Sequence, residues 1–441
     1  MPAPLVRVET MASQPEAADV VVIGGGIVGV FAAYYLVRRG LKVVLVEKGL
    51  IGAEQSSRNW GWCRQQNRDA RELPIATKSL DLWDRFAAEA GEDTGFRRCG
   101  LLYLSDRDKE LEGWARWRDF ARTVGVTTFM LSSLEATERG KATGKPWKGG
   151  VFSPSDGTAD PSKAAPAVAR AIVNAGGIVL QNCAARGIET TGGQLSAVIT
   201  EKGTIRTKIA VLAGGAWASS FCNNLDVRFP QASVRSSILS VKPGVEGLPD
   251  ALHTTEVSTT RRADGGYTLA ISGRARVDVT AQQIRFARYF VPMFARRWRN
   301  LAPGGLEGWR SGHESLTRWR LDERTPMERM RILDPAADES TIAEILRRAR
   351  HLLPALAKAR IASKWAGYID STPDGVPAVG EIPSIPGFIL AAGFSGHGFG
   401  IGPGACHLIA DIVTGRSPLV DPVPYRPERL TASSWGKVAE F

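Results

Sequence analysis

The sequence predicts an α/β protein in which a buried parallel sheet with helices on its faces is interleaved with a second, α+β unit on a mixed, largely antiparallel sheet. Three observations carry this. Residues 19–48, DVVVIGGGIVGVFAAYYLVRRGLKVVLVEK, read without a gap as strand, glycine turn, helix, turn and strand. Residues 209–217 (IAVLAGGAW) and 388–402 again run an apolar strand into a glycine turn. Between about residues 227 and 350 the texture changes to β-branched strands (SSILSVK, TTEVSTT, YTLAISG) and long arginine-rich helices. Short all-apolar strands that feed glycine turns and helices suit a parallel sheet covered on both faces.

In the first stretch Gly24, Gly26 and Gly29 have GxGxxG spacing, with Ile27 and Val28 opening the helix between them. The first glycine permits the tight turn, the second lets backbone approach a pyrophosphate, and the third lets the helix pack closely on the sheet while its first amides face the phosphates. Gly40 closes the helix, residues 43–46 form the next buried strand, and Glu47 ends it 18 residues beyond Gly29, followed by Lys48. A carboxylate there accepts both hydroxyls of an adenosine ribose and disfavours a 2′-phosphate, which points to FAD or NAD over NADP in a Rossmann-like unit. Residues 20–37 carry no charge, as a membrane span would, but three glycines and an internal change of period argue against one.

At 441 residues and 44% hydrophobic content the chain can bury a sizeable core in two or three units, and wholesale disorder is excluded. Residues 1–18 have two prolines near the start and no sustained apolar run, so they read as a loose tail and not as a signal peptide; the cytosol is the expected compartment. Five scattered cysteines without CxxC spacing and five unclustered histidines indicate neither a disulfide framework nor a metal site. The net charge of +11 is concentrated in arginines between residues 285 and 350 on amphipathic helices; no nucleic-acid module accompanies it, so it reads as solvated helix faces.

After Glu47 the chain passes through SSRNWGWCRQQNRDARELPIATKSLDLWDRF, residues 56–86, whose second half has helical spacing at Leu73, Ala76, Leu80 and Trp83. Its first half puts Arg58, Asn59, Trp60, Gly61, Trp62, Arg64 and Gln65 on a loop where the reactive ring of a bound dinucleotide would reach. The two tryptophans serve equally well as plugs of a domain junction. Residues 99–104 read as a strand, followed by a charged helix to residue 121. Residues 160–177 read as a helix ended by Gly176 and Gly177, then 178–190 as a strand. Residues 388–392 form a buried strand, 393–403 a glycine-rich loop and 404–413 a helix ended by Gly415.

Several separated motifs agree: GGGIVG with Glu47, VLAGGAW, WAGYIDSTPDGVPAVG and AAGFSGHGFGIGPG. Together they resemble the D-amino-acid oxidase, glycine oxidase and sarcosine oxidase superfamily of FAD-dependent amine oxidoreductases over roughly residues 19–414. The resemblance implies noncovalent FAD, with Gly24, Gly26, Ile27, Val28, Gly29, Glu47 and Lys48 around the ADP half and Ala185, Gly214 and Trp217 near the adenine. Asn59, Trp60, Gly61 and Trp62 would then border the isoalloxazine, with Gly396, His397, Gly398 and Gly402 across from them. A helix starting near Gly402 would aim its positive end at the flavin's pyrimidine edge.

The chain also departs from the family. Glycine oxidase-like sequences have a carboxylate-binding arginine two residues after the glycine of WAG, where this chain has Ile369 followed by Asp370. The flavin-linking cysteine that sarcosine oxidases have near Gly367, and their lysine near Gly400, are both missing. Arg64 is the first candidate for a replacement anchor and Arg310 the second, with Trp62 beside the substrate; each arginine reads equally as a surface or interdomain residue. Asp370 is placed to receive the cation of a basic amino acid such as arginine or lysine, or to bond a local turn with Thr372.

The expected domains are an FAD-binding domain of residues 19–84, 151–228 and 360–415, a substrate domain of 85–150 and 229–359, and tails 1–18 and 416–441. The expected activity is oxidation of the C–N bond of an amino acid or N-substituted amino acid to an imine, which hydrolyses to an oxo acid and ammonia or amine. The expected partner is a small amino acid or amine, with no nucleic acid and no transmembrane segment, and homo- or hetero-oligomers stay open. The alternatives are a flavin-binding subunit of a heteromeric opine or amine dehydrogenase with mainly an assembly role, and an NAD enzyme without flavin.

Overall fold

The computed structural model describes residues 3–10, 13–310, 318–430 and 438. Val20–Ile23 pairs in parallel with Val43–Val46 on one side and Ile209–Leu212 on the other. The sheet runs in the order Ala378–Glu381, Phe388–Ala392, Ile209–Leu212, Val20–Ile23, Val43–Val46, Ile178–Leu180. Its one antiparallel pair joins the first two of these. The all-apolar strands are explained by what covers each face. Val20 and Val22 join the core beneath the Ile27–Val37 and Gly398–Thr414 helices, while Val21 and Ile23 point into a second core with Trp217, Phe221 and Phe388.

Gly398–Thr414 is a 17-residue helix and starts earlier than its glycines and Pro403 led us to expect. Those glycines belong inside it because neighbours come too close for a side chain. A Cβ on Gly404 would lie 2.6 Å from Ser79 Oγ and 2.7 Å from the Ile75 carbonyl oxygen, and one on Gly400 3.0 Å from the Trp62 carbonyl oxygen. The Leu73–Ala90 helix uses this approach: Trp83 Nε1 donates to the Gly400 carbonyl at 3.0 Å and Ser79 Oγ to that of Ile401 at 2.9 Å.

The second sheet has ten strands, and its spine is the antiparallel pair Ala232–Val241 with Ile361–Ser371, in register from Ala232↔Ser371 to Ser240↔Ser363 and shifted by one residue at Val241↔Ile361. Ile361–Ser371 and Gly149–Ser153 therefore hydrogen-bond within this sheet, where the sequence had assigned 360–371 and residues from 151 to the nucleotide unit. The cause is visible in the sequence, since WAGYID is as apolar as a parallel strand but packs on the second sheet, with Ile238, Ala270 and Trp365 forming a small core of their own.

Three further expectations are corrected. The start of the chain is no loose tail: Val6 N donates to the Ser162 carbonyl at 2.9 Å, Ala17 bridges Arg206, and Gln14 accepts from Thr200 at 2.6 Å. Residues 178–190 make two strands, Ile178–Leu180 and Ala185–Thr191, broken near Asn182, whose φ is +49°. The chain after the last long helix also docks, with Tyr425 buried and Arg429 Nε donating to Asp374 at 3.0 Å. Among the described residues no helix is long and apolar enough to cross a membrane.

Candidate active site

A cavity of about 500 Å³ runs from the glycine turn at the end of Val20–Ile23 to the face of the second sheet. Gly24, Gly26, Ile27, Val28, Glu47, Lys48, Asn59, Trp60, Trp62, Arg64, Ala185, Gly214, Trp217, Asp370, Gly396, His397 and Gly398 all line it. Its size is within the ordinary range for a ligand site, about 300–1,000 Å³.

At one end the backbone is bare because it has to be. A Cβ on Gly24, whose φ is +110°, would lie 2.4 Å from the Ala213 carbonyl oxygen, and one on Gly29 only 1.8 Å from that of Gly24. Gly29 thus acts by close packing and does not reach the cavity. Glu47 bridges two turns, accepting from Gly25 N at 2.6 Å through Oε2 and from Gly49 N at 2.7 Å through Oε1. Burial pushes its carboxyl up from the usual range. Ser56, which the sequence reading passed over, accepts from Ile27 N at 2.8 Å and occupies one of the first orphan amides of the helix. Lys48 and Trp217 share Glu54: Lys48 Nζ donates to it at 2.5 Å and Trp217 Nε1 at 3.1 Å. The bare glycine turn, open helix N-terminus and carboxylate beyond the second strand fit the ADP half of a dinucleotide.

The far end is aromatic and basic. Gly61, at φ +82° and pressed against the Ala159 carbonyl, forms the turn that presents Trp60 and Trp62 edge to face, with ring centroids 5.0 Å apart. Gly61 itself stays outside the cavity wall. Trp62 Nε1 donates to Thr260 Oγ1 at 2.7 Å, and His253 packs against both Trp62 and Tyr103. Burial, with Arg64 second, drives His253 down to about 4, so it is neutral at physiological pH. Across from the tryptophans, Gly398 and Phe399 begin the long helix at the cavity wall, and Gly402 lies one turn inside it against Ile27. The helix start differs from the expected one by this turn, but its positive end still faces the cavity.

His397 precedes that helix, with Nδ1 2.9 Å from Glu72 Oε2. Burial first and the charge of Arg68 second bring its pKa down to about 4, so a neutral ring donates Nδ1–H to Glu72. Arg64 is half-buried on the cavity wall and donates to the Gln66 carbonyl. Arg68, four residues further along the loop and missed in the sequence, is only 3% exposed and also lines the cavity. Nothing in RQQNRDARE marks one arginine as different from the next. Arg310 ends the short Glu307–Arg310 helix, and its side chain lies outside the described residues.

Asp370 is buried, and its Oδ2 accepts from Gln231 Nε2 at 2.7 Å and from Gly393 N at 2.9 Å. Of the two ways to compensate this buried acid, a cationic substrate or local donors, the structure contains the second. Thr372, the expected turn partner, donates to Asp374 and to the Val376 carbonyl instead.

Residues 19–412 match the family model for the FAD-dependent oxidoreductases of the DAO family. The chain belongs to this family. This oxidoreductase is 26% identical to a glycine oxidase from Pseudomonas aeruginosa over 92% of its own length and 98% of the relative's. It is 25% identical to the mitochondrial sarcosine dehydrogenase of mouse, matching 91% of this chain and 40% of that one. Among solved structures it superposes on an L-amino acid deaminase from Proteus myxofaciens, determined in complex with anthranilate, with a TM-score of 0.91, 29% identity and 96% coverage of both chains. An L-amino acid deaminase from Proteus vulgaris gives 0.90, again at 29% identity.

Proposed function

We propose that this oxidoreductase oxidises the C–N bond of an α-amino acid or N-substituted amino acid to an imine, which water hydrolyses to the oxo acid and ammonia or amine. The observation that carries the reading is the continuity of one cavity from the glycine turn and Glu47 to the wall formed by Trp60, Trp62, Arg64 and His397. Relatives and structural neighbours of similar length are named for acting on amino acids.

When bound, FAD supplies the acceptor for the hydride that leaves the substrate's α-carbon. The chain's residues do the rest. Gly24, Gly26 and Glu47 hold the cofactor, and the first turn of the Gly398–Thr414 helix stabilises negative charge that collects near it. Trp60 and Trp62 exclude water and fix the substrate's orientation, and Arg64 faces its carboxylate. Burial keeps His397 and His253 neutral, so the amine enters a pocket without imidazolium, where its neutral form is favoured. Arg64, Arg68, Arg274 and Arg297 line the cavity while Asp370 is already hydrogen-bonded, so the reading favours substrates whose side chain is not cationic.

The purified protein should be yellow, and anaerobic addition of an amino-acid panel should bleach its flavin. Flavin that no amino acid or N-alkyl amino acid reduces in the isolated chain would replace this reading with that of an assembly subunit.

A further inference from the structure

We infer that residues 318–334 form a clasp over the ADP end of the cavity, held shut by the ion pairs Arg331–Glu201 and Arg186–Glu328, and that FAD enters and leaves by its opening. The inference rests on placing the ADP half at the Gly24 and Glu47 end, as above, and adds the device that retains the cofactor there.

The segment lies directly on the residues that would hold the adenosine. The Arg331 carbonyl sits against Gly49, whose amide bonds Glu47, so closely that a Cβ on Gly49 would lie 2.2 Å from it. Lys48 Nζ donates to the carbonyls of Met330 at 3.1 Å and Arg331 at 2.9 Å, and Leu333 N donates to Glu54 at 2.9 Å. On the other flank Leu321 packs on Gly187, where a Cβ would lie 2.4 Å from its Cδ2, and Trp319 Nε1 donates to the Arg186 carbonyl at 2.7 Å. Met327, in the short Pro326–Arg329 helix, reaches the cavity wall itself. It and Leu333 are buried in the core that contains Ala185 and Trp217.

This wall differs from the others in how it is attached. Val20–Ile23 and Val43–Val46 are laddered into the parallel sheet, and Ala185–Thr191 is paired with Gln194–Thr200, so none of them can part without breaking a row of backbone bonds. Residues 318–334 belong to no strand, and among the described residues no backbone-to-backbone hydrogen bond joins them to the nucleotide unit. Side chains make the connection. Arg331 spans both oxygens of Glu201, with Nη2 2.5 Å from Oε2, and Arg186 meets Glu328 at 2.9 and 3.0 Å. Burial pushes the Glu201 carboxyl up, but Arg331 outweighs it and holds the group below the usual range, so the pair is ionised at neutral pH. Partly exposed pairs weaken with salt, and a segment fixed by a few of them opens as a unit without unfolding the sheets. Met327 couples the clasp to the cofactor: adenosine in the cavity gives this side chain a surface to pack on, so occupancy favours the shut form.

Release of FAD, followed as the rise in flavin fluorescence on diluting the holoenzyme, tests the clasp. Arg331→Met and Glu201→Gln should each speed release about 3- to 10-fold, and the double variant should be no faster than the quicker single one. Arg331→Lys should recover part of the loss, and Arg98→Met, which breaks an ion pair outside the cavity wall, should leave the rate alone. Raising the salt from about 0.05 to about 0.5 M should speed release from the parent more than from Arg331→Met. Hydrogen exchange on the parent holoenzyme needs no variant to fold: residues 318–334 should exchange within the time in which FAD leaves, while Val20–Ile23 stays protected. Amides in 318–334 that remain unexchanged after most of the FAD has left would overturn the inference. So would release from Arg331→Met and Glu201→Gln at the parent's rate, and if Glu47→Ala still weakened FAD the ADP placement would stand without the clasp. FAD held as tightly by Glu47→Ala as by the parent would remove the placement and the clasp together.

Discussion

The imidazole of His397 and the carboxylate of Glu72 meet at 2.9 Å, joining the residue before the Gly398–Thr414 helix to the one before the Leu73–Ala90 helix. The contact fixes the ring as a neutral donor directly beside the cavity. A histidine kept neutral by burial ties the stability of this corner to pH.

His397 has a folded pKa of about 4 against 6.5 unfolded, so between these values the unfolded chain binds the extra proton. Its contribution is complete above pH 6.5 and is lost as the pH falls through that window toward 4. Chemical denaturation at stepped pH should show stability dropping there, and His397→Gln should flatten part of the drop. An unchanged slope in the variant would remove His397 as the cause, leaving His253, which has the same depressed value.

Glu47→Ala should weaken FAD by about 1.5–3 kcal/mol, the usual scale for a charge-assisted hydrogen bond, and the loss is readable by titrating apoprotein and following flavin fluorescence. The flavin itself should come free on acid precipitation. Flavin that stays with the precipitate would establish a covalent link.

Gly29→Ala places a methyl group 1.8 Å from the Gly24 carbonyl oxygen, and backbone cannot move aside as a flexible side chain would. The helix must then separate from the strand. A fall in melting temperature together with loss of bound flavin is expected, whereas Gly40→Ala, with nothing within 4 Å but a φ of +83°, should cost only about 1 kcal/mol and keep its flavin.

Asp370→Asn keeps one oxygen to accept from Gln231 Nε2 and Gly393 N, which both meet Oδ2, but removes the charge that strengthens these bonds and puts NH2 at the other oxygen's place. The variant should lose about 1–3 kcal/mol of stability. Its kcat/KM should fall by a common factor on arginine, lysine, leucine and alanine. A selective loss on arginine and lysine would restore a substrate-cation role for this acid.

How much of this was legible in the sequence depended on whether a residue's job was local. Gly24, Gly26 and Glu47 act through backbone geometry at fixed spacing, so their pattern announces them. The helix start was misjudged because Gly400, Gly404 and Pro403 are poor helix formers, and the contacts with Trp62 and Ser79 that require small residues lie far away in the chain. Residues 360–371 were grouped with the nucleotide unit, and their pairing with Ala232–Val241 was not foreseen for a related reason: an apolar run says that a strand is buried but not by which neighbour. Arg68 stood in a stretch full of charge, and only the fold shows that it is buried at the cavity wall.

The bond from Asp370 to Gly393 also has a mechanical meaning. Asp370 is the last residue but one of the strand that forms the spine of the second sheet, and Gly393 directly follows a strand of the first, so their 2.9 Å contact, with the Ser395 N to Asp370 carbonyl bond at 2.8 Å, cross-braces the two sheets beside the cavity. Rocking one sheet against the other would break that brace and strand a buried acid. The walls on which Trp60, Trp62 and Ile369 stand are thereby tied to one another through backbone as well as through packing.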